Sequence, residues 1–119
     1  MDQKLQDHWK NLIRPLFQDV AYFEVRVLRK NFEVEVSWII STDPSRPNKP
    51  SKTLRIIFPW ETINDYQEKT KQWQKSADGK IIKFIKSNLE NFDPNHDNPI
   101  HLSRPEAPPW IAGRDILNS

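Results

Sequence analysis

His96, Asp97 and His101, with Asp93 just upstream, are the residues best suited in type to hold a metal ion. Imidazole nitrogen and carboxylate oxygen both ligate zinc or iron. Such sites favour rigid elements and short helical spacing. Here the two histidines stand five positions apart in a proline-rich stretch. The plainer reading is a polar extended segment, so no metal and no cofactor is assigned. Glu33 and Glu35 form the second pair. Alternation along a strand points both to one face, where two carboxylates can act as acid and base. Arg26 and Arg55 fall on the same face, which makes ordinary surface ion pairs the simpler reading. His8, beside Trp9, reads as the boundary residue of a helix rather than as a base.

The chain contains no cysteine, and its two glycines, Gly79 and Gly113, are far apart. Thiol catalysis, zinc ribbons and glycine-rich phosphate loops are therefore excluded. No GxSxG, HExxH or Ser-x-x-Lys sequence occurs. The expectation is a protein that is not an enzyme, with no catalytic residue to name.

Basic residues carry the next possibility. Lys69, Lys71, Lys75, Lys80, Lys83 and Lys86 surround Trp73, and Arg46, Lys49 and Lys52 decorate a preceding loop. Residues 41–92 hold 10 basic and 6 acidic side chains, the first 40 residues hold 6 of each, and residues 93–119 hold 2 and 4. The positive charge thus sits mid-chain, where it would attract phosphate in a salt-dependent way. The overall net charge of +2 is small for such a role. Nucleic-acid binding by the lysine-rich helices 61–92 is the alternative function.

Several elements would position these groups. Leu5, Trp9, Leu12, Ile13 and Leu16 recur at helical spacing, which predicts a helix over 2–17. Asp2 is its candidate N-cap, and Pro15 should disturb its last turn. Residues 20–29 and 32–40 both alternate apolar and polar. A two-residue loop at Lys30-Asn31, with Asn31 in a left-handed conformation, would place Val27 opposite Val34, Val25 opposite Val36 and Phe23 opposite Trp38. Arg26 would then meet Glu35 on the other face. A third strand over 53–58 sets Leu54, Ile56 and Phe58 on one side. Helices over 61–76 and 80–92, separated by Asp78-Gly79, should pack on one face of this antiparallel meander. The fold class is α+β, with a domain at 1–92. The 10 prolines concentrate in the 41–52 loop and in 93–119, which reads as an extended or partly disordered tail.

The order α-β-β-β-α is similar in topology to double-stranded RNA-binding domains. That family carries lysines at the start of the helix after the third strand. This chain has Pro59-Trp60-Glu61-Thr62 there, followed by Asp65 and Glu68, so membership is not assigned.

Partner binding has three supports. Pro44-Ser45-Arg46-Pro47-Asn48-Lys49 matches a short polyproline ligand pattern, although a rigid loop explains it as well. Val20, Tyr22, Ile39 and Ile57 should cluster near one end of the sheet face away from the helices. Tyr22, Ile39 and Ile57, with Trp60 and the tail's Trp110 and Ile111, form a candidate partner-binding set. The outer strands also leave backbone edges open to another strand. No apolar run is long enough to cross a membrane, and the polar start Met1-Asp2-Gln3-Lys4 is no signal peptide. The expected protein is a small cytoplasmic interaction module that binds itself or another protein, through the sheet or the tail.

Overall fold

Asp2 starts the first helix as its type allows: its carboxylate accepts from the Lys4 backbone N–H at 3.1 Å. Helix α1 spans Gln3–Ile13 in this computed structural model, which describes residues 1–40, 45, 49–96 and 105–119. The helix stops four residues short of the predicted end. Pro15 cannot donate a helical hydrogen bond, and the chain tightens into a 3-10 turn at Arg14–Leu16. Leu5, Trp9 and Ile13 form the buried stripe. The Trp9 ring stacks on Phe58 at 4.6 Å and lies 5.8 Å from Phe32 and 5.1 Å from Tyr66. Truncating so central a ring to alanine would cost about 4 kcal/mol.

Strands β1 (Tyr22–Val27), β2 (Asn31–Ser37) and β3 (Leu54–Pro59) form the expected antiparallel meander. The hairpin register differs from expectation. Val27 faces Phe32, Val25 faces Val34 and Phe23 faces Val36. The loop is Arg29-Lys30, closed by a 2.8 Å bond from the Leu28 N–H to the Asn31 carbonyl. No non-glycine residue described has a positive φ, so Asn31 does not take the left-handed conformation and extends β2 instead. The opposing residues shift by two positions, one full side-chain period, so every residue keeps its predicted face. Phe32, Val34, Val36, Leu54, Ile56 and Phe58 are fully buried on the helix side.

The helical segment is divided elsewhere than predicted. Helix α2 spans Trp60–Glu68 and α3 spans Lys71–Glu90. The break falls at Lys69-Thr70, where the Thr70 hydroxyl accepts from the Trp73 N–H at 3.2 Å. Asp78-Gly79 lies inside α3. Tertiary bonds from Asp78 to α1 and α2 hold that turn helical, overriding the weak local signal. Ala77, Ile81 and Ile85 bury the inner side of α3.

The sheet is mixed and four-stranded, which corrects the three-stranded expectation. Trp110–Ile111 forms β4, parallel to β3, and Arg114–Leu117 forms a short helix, α4. Thr53 exchanges backbone bonds with Pro105 and Ala107 at 3.0 and 2.9 Å, and the Ala112 N–H donates to Ile57 at 2.8 Å. Residues 105–119 are thus not a loose tail. Pro105, Pro108 and Pro109 hold the chain extended, and its apolar islands complete the core. Ala112 and Leu117 have no exposed surface. The Thr62 hydroxyl donates to the Ala112 carbonyl at 2.8 Å, and Arg114 grips Asp65 at 2.8 and 3.2 Å. No helix among the described residues is long and apolar enough to cross a membrane.

Candidate functional site

The open face of the sheet carries the side chains that alternate away from the core. Arg26 bridges Glu35 and Glu24, the latter at 3.6 Å, and the Tyr22 hydroxyl donates to Glu24. That donor holds the Glu24 carboxyl below its ordinary pKa, and Arg26 adds to the effect. On β3, Arg55 reaches Glu106 at 3.3 Å. Glu33 and Glu35 therefore stand among guanidinium groups.

The candidate partner residues do not form one patch. Val20, Tyr22 and Ile39 are each exposed, with Tyr22 opposite Ser37, at the end of β2 that leads on to Ile39. Ile57 does not join them. It faces Glu33, four residues along β2 from the Ser37 that faces Tyr22, or about 13 Å away. The register decides this, and Ile57 instead neighbours the exposed Ile111 on β4. Trp60 starts α2 half-exposed beside the hairpin loop, its N–H bonded to Lys30 at 2.9 Å. Trp110 packs edge-on against Phe92 at 5.8 Å, and Phe92 meets Trp38 at 5.8 Å. Its ring joins the protein's own aromatic row.

The β1 edge is bare. It holds neither proline nor lysine, and Tyr22, Val27 and Leu28 are exposed along it. The Leu28–Asn31 bond sets the hydrogen-bonding phase of the hairpin. By the antiparallel alternation, Tyr22, Glu24 and Arg26 bond to β2, while Phe23, Val25 and Val27 turn their backbone groups outward.

The lysines lie mostly along one rod. Lys71, Lys75, Lys83 and Lys86 are exposed on the continuous α3, whose 20 residues span roughly 30 Å. Lys80 turns to the C-terminal segment and donates to the Leu117 carbonyl at 3.1 Å. Lys69 covers the Trp73 ring at 5.6 Å. Pro44, Arg46, Pro47, Asp97 and His101 lie outside the described residues, so most of the polyproline match and half of the metal candidate do too. His96 contacts the Pro50 carbonyl at 2.8 Å. No metal-competent cluster occurs among the described residues.

One constellation escaped the sequence reading. Asp78, mid-way along α3, accepts from the Tyr66 hydroxyl at 2.8 Å and meets His8 Nε2 at 2.7 Å. Burial, reinforced by Asp78, pushes the Tyr66 hydroxyl far above its ordinary pKa. The three residues are 70 and 12 positions apart along the chain, a separation at which local periodicity carries no signal. Only the stripes bearing Trp9 and Tyr66 hinted that α1 and α2 meet there.

The chain matches no family model, no curated protein and no solved structure.

Proposed function

We propose that the protein is a small cytoplasmic, non-catalytic interaction module that pairs with a second copy of itself through the β1 edge. The observation that carries this reading is the self-complementarity of that edge. Two β1 strands laid antiparallel about Val25 oppose Phe23 to Val27 and Val25 to its own copy on the helix side. On the open side, Glu24 meets Arg26 of the copy twice, and Tyr22 meets Leu28. The outward-facing backbone groups of Phe23, Val25 and Val27 then meet in hydrogen-bonding phase. The result would be one continuous eight-stranded sheet built from two four-stranded ones. The absence of cysteine suits a reducing compartment.

Sedimentation velocity tests this. The native chain should dimerise at micromolar concentration. Glu24→Arg sets like charges across the edge and should weaken the dimer roughly tenfold. Adding Arg26→Glu should restore it. A native monomer, or a dimer indifferent to Glu24→Arg, overturns the reading.

A second reading, nucleic-acid binding, draws on the continuity of α3, which sets Lys71, Lys75, Lys83 and Lys86 along one rod. Fluorescence titration with duplex and single-stranded DNA and RNA decides it. Affinity must be present at low salt and fall as salt rises.

A further inference from the structure

Residues of α1, α2 and α3 enclose a solvent-open groove of about 800 Å³. Asp2, Lys4, Leu5 and His8 line it from α1, Tyr66 and Gln67 from α2, and Lys71, Gln74, Lys75 and Asp78 from α3. None of these residues belongs to the sheet, so the groove is independent of the β1 edge.

Three lysines line this groove: Lys4, Lys71 and Lys75. None forms an ion pair among the described residues. The two carboxylates of the lining are hydrogen-bonded, and the three lysines outnumber them. Asp2 caps α1 through the Lys4 N–H. Asp78 uses one oxygen on Tyr66 and the other on His8. Its side chain is 16% exposed and that of His8 is 48% exposed, so the carboxylate is the inner partner and the imidazole the outer one. Asp78 therefore acts as a clamp that fixes the imidazole at the wall of the groove. Gln74 is likewise held, donating to the Tyr66 carbonyl at 2.8 Å, which leaves its amide oxygen to accept.

We propose that this groove binds a small phosphate-bearing anion, with Lys4, Lys71 and Lys75 on the phosphate and His8 as the oriented polar contact. Separate ammonium groups act as point charges and suit a multiply charged anion better than a single planar carboxylate. The volume lies in the range of small-molecule sites. Leu5 and the Tyr66 ring supply apolar wall, and Gln67 and Gln74 supply amides for the organic part of the ligand. Charge alone would not select this place, because Lys83 and Lys86 carry the same charge on the same helix and do not line the groove.

Calorimetric titration of the full chain with inorganic pyrophosphate at low salt tests the site. The expected result is saturable one-to-one binding. Lys71→Gln with Lys75→Gln should weaken it at least roughly tenfold. The control pair Lys83→Gln with Lys86→Gln removes the same charge and should leave it unchanged. In parallel, the His8 ring resonances should move on titration and should need roughly tenfold more pyrophosphate to move in the Lys71/Lys75 double variant. Circular dichroism checks that both exposed pairs leave the fold intact. Absent or non-saturable binding overturns the proposal. So does equal weakening in both pairs, which would mean diffuse attraction, or a His8 signal that ignores pyrophosphate.

Discussion

The two edges of the sheet are built in opposite ways. At one edge, β4 is two residues long and is closed off by proline upstream and by α4 downstream. At the other, β1 runs six residues from Tyr22 to Val27 with its outer backbone groups unpaired within the described residues. Short strands, proline and covering helices are the usual protections of a sheet edge. The C-terminal segment supplies all three to β3, whereas β1 has none. Stability and the proposed association thereby fall to different edges: the covered edge completes the core, and the bare edge has unpaired backbone groups.

The largest test of this contrast lies at the covered edge. Leu117→Ala leaves a cavity beneath α4 and should cost about 3 kcal/mol in urea unfolding. The variant should also bind an aggregation dye as β3 loosens from β4. If it unfolds like the native chain, the C-terminal segment is not a structural edge. At the bare edge, Glu24→Arg should change assembly by roughly the equivalent of 1.4 kcal/mol while leaving monomer unfolding nearly unaltered. The two variants therefore sort onto different measurements. Thr62→Val removes the donor to the buried Ala112 carbonyl and should cost about 1 kcal/mol. Gly79→Ala touches neither edge. A Cβ there meets nothing within 4 Å, so helix propensity alone should stabilise the chain by about 0.8 kcal/mol.

The smallest effect concerns acid. Arg114 beside Asp65 holds that carboxyl below its ordinary pKa, and desolvation opposes the effect only in part. A lowered folded-state pKa contributes stability above the unfolded value of about 3.9, and that contribution is lost as pH falls through the folded one. Arg114→Ala should move the Asp65 titration upward in carbon-detected NMR and should loosen α4 from α2. An unmoved titration would mean that the ion pair does not anchor α4.

Local pattern made much of the fold legible. The stripe of α1, the Asp2 cap and the disturbance at Pro15 all follow from short-range rules. So does the alternation that buries Val34, Val36, Leu54, Ile56 and Phe58. Local pattern leaves the hairpin register open by two positions, because loops at Lys30-Asn31 and at Arg29-Lys30 keep the same faces inward. Local pattern puts the helix break at Asp78-Gly79, the stronger local breaker, whereas Thr70 caps α3 only once α2 has ended.

Open outer strands could be read from sequence, since residues 20–29 and 53–58 both lack proline and glycine, although β4 then covers β3. The groove could not. His8, Tyr66 and Asp78 meet because α1, α2 and α3 pack on one core, and no spacing announces a contact across 70 residues. The C-terminal segment shows the same division. Its prolines dictated an extended chain and its apolar islands dictated that something would bury them. Whether that was this chain's own β3 or another molecule was decided by the tertiary structure, because only the folded sheet offers an unpaired strand to which residues 105–112 can hydrogen-bond.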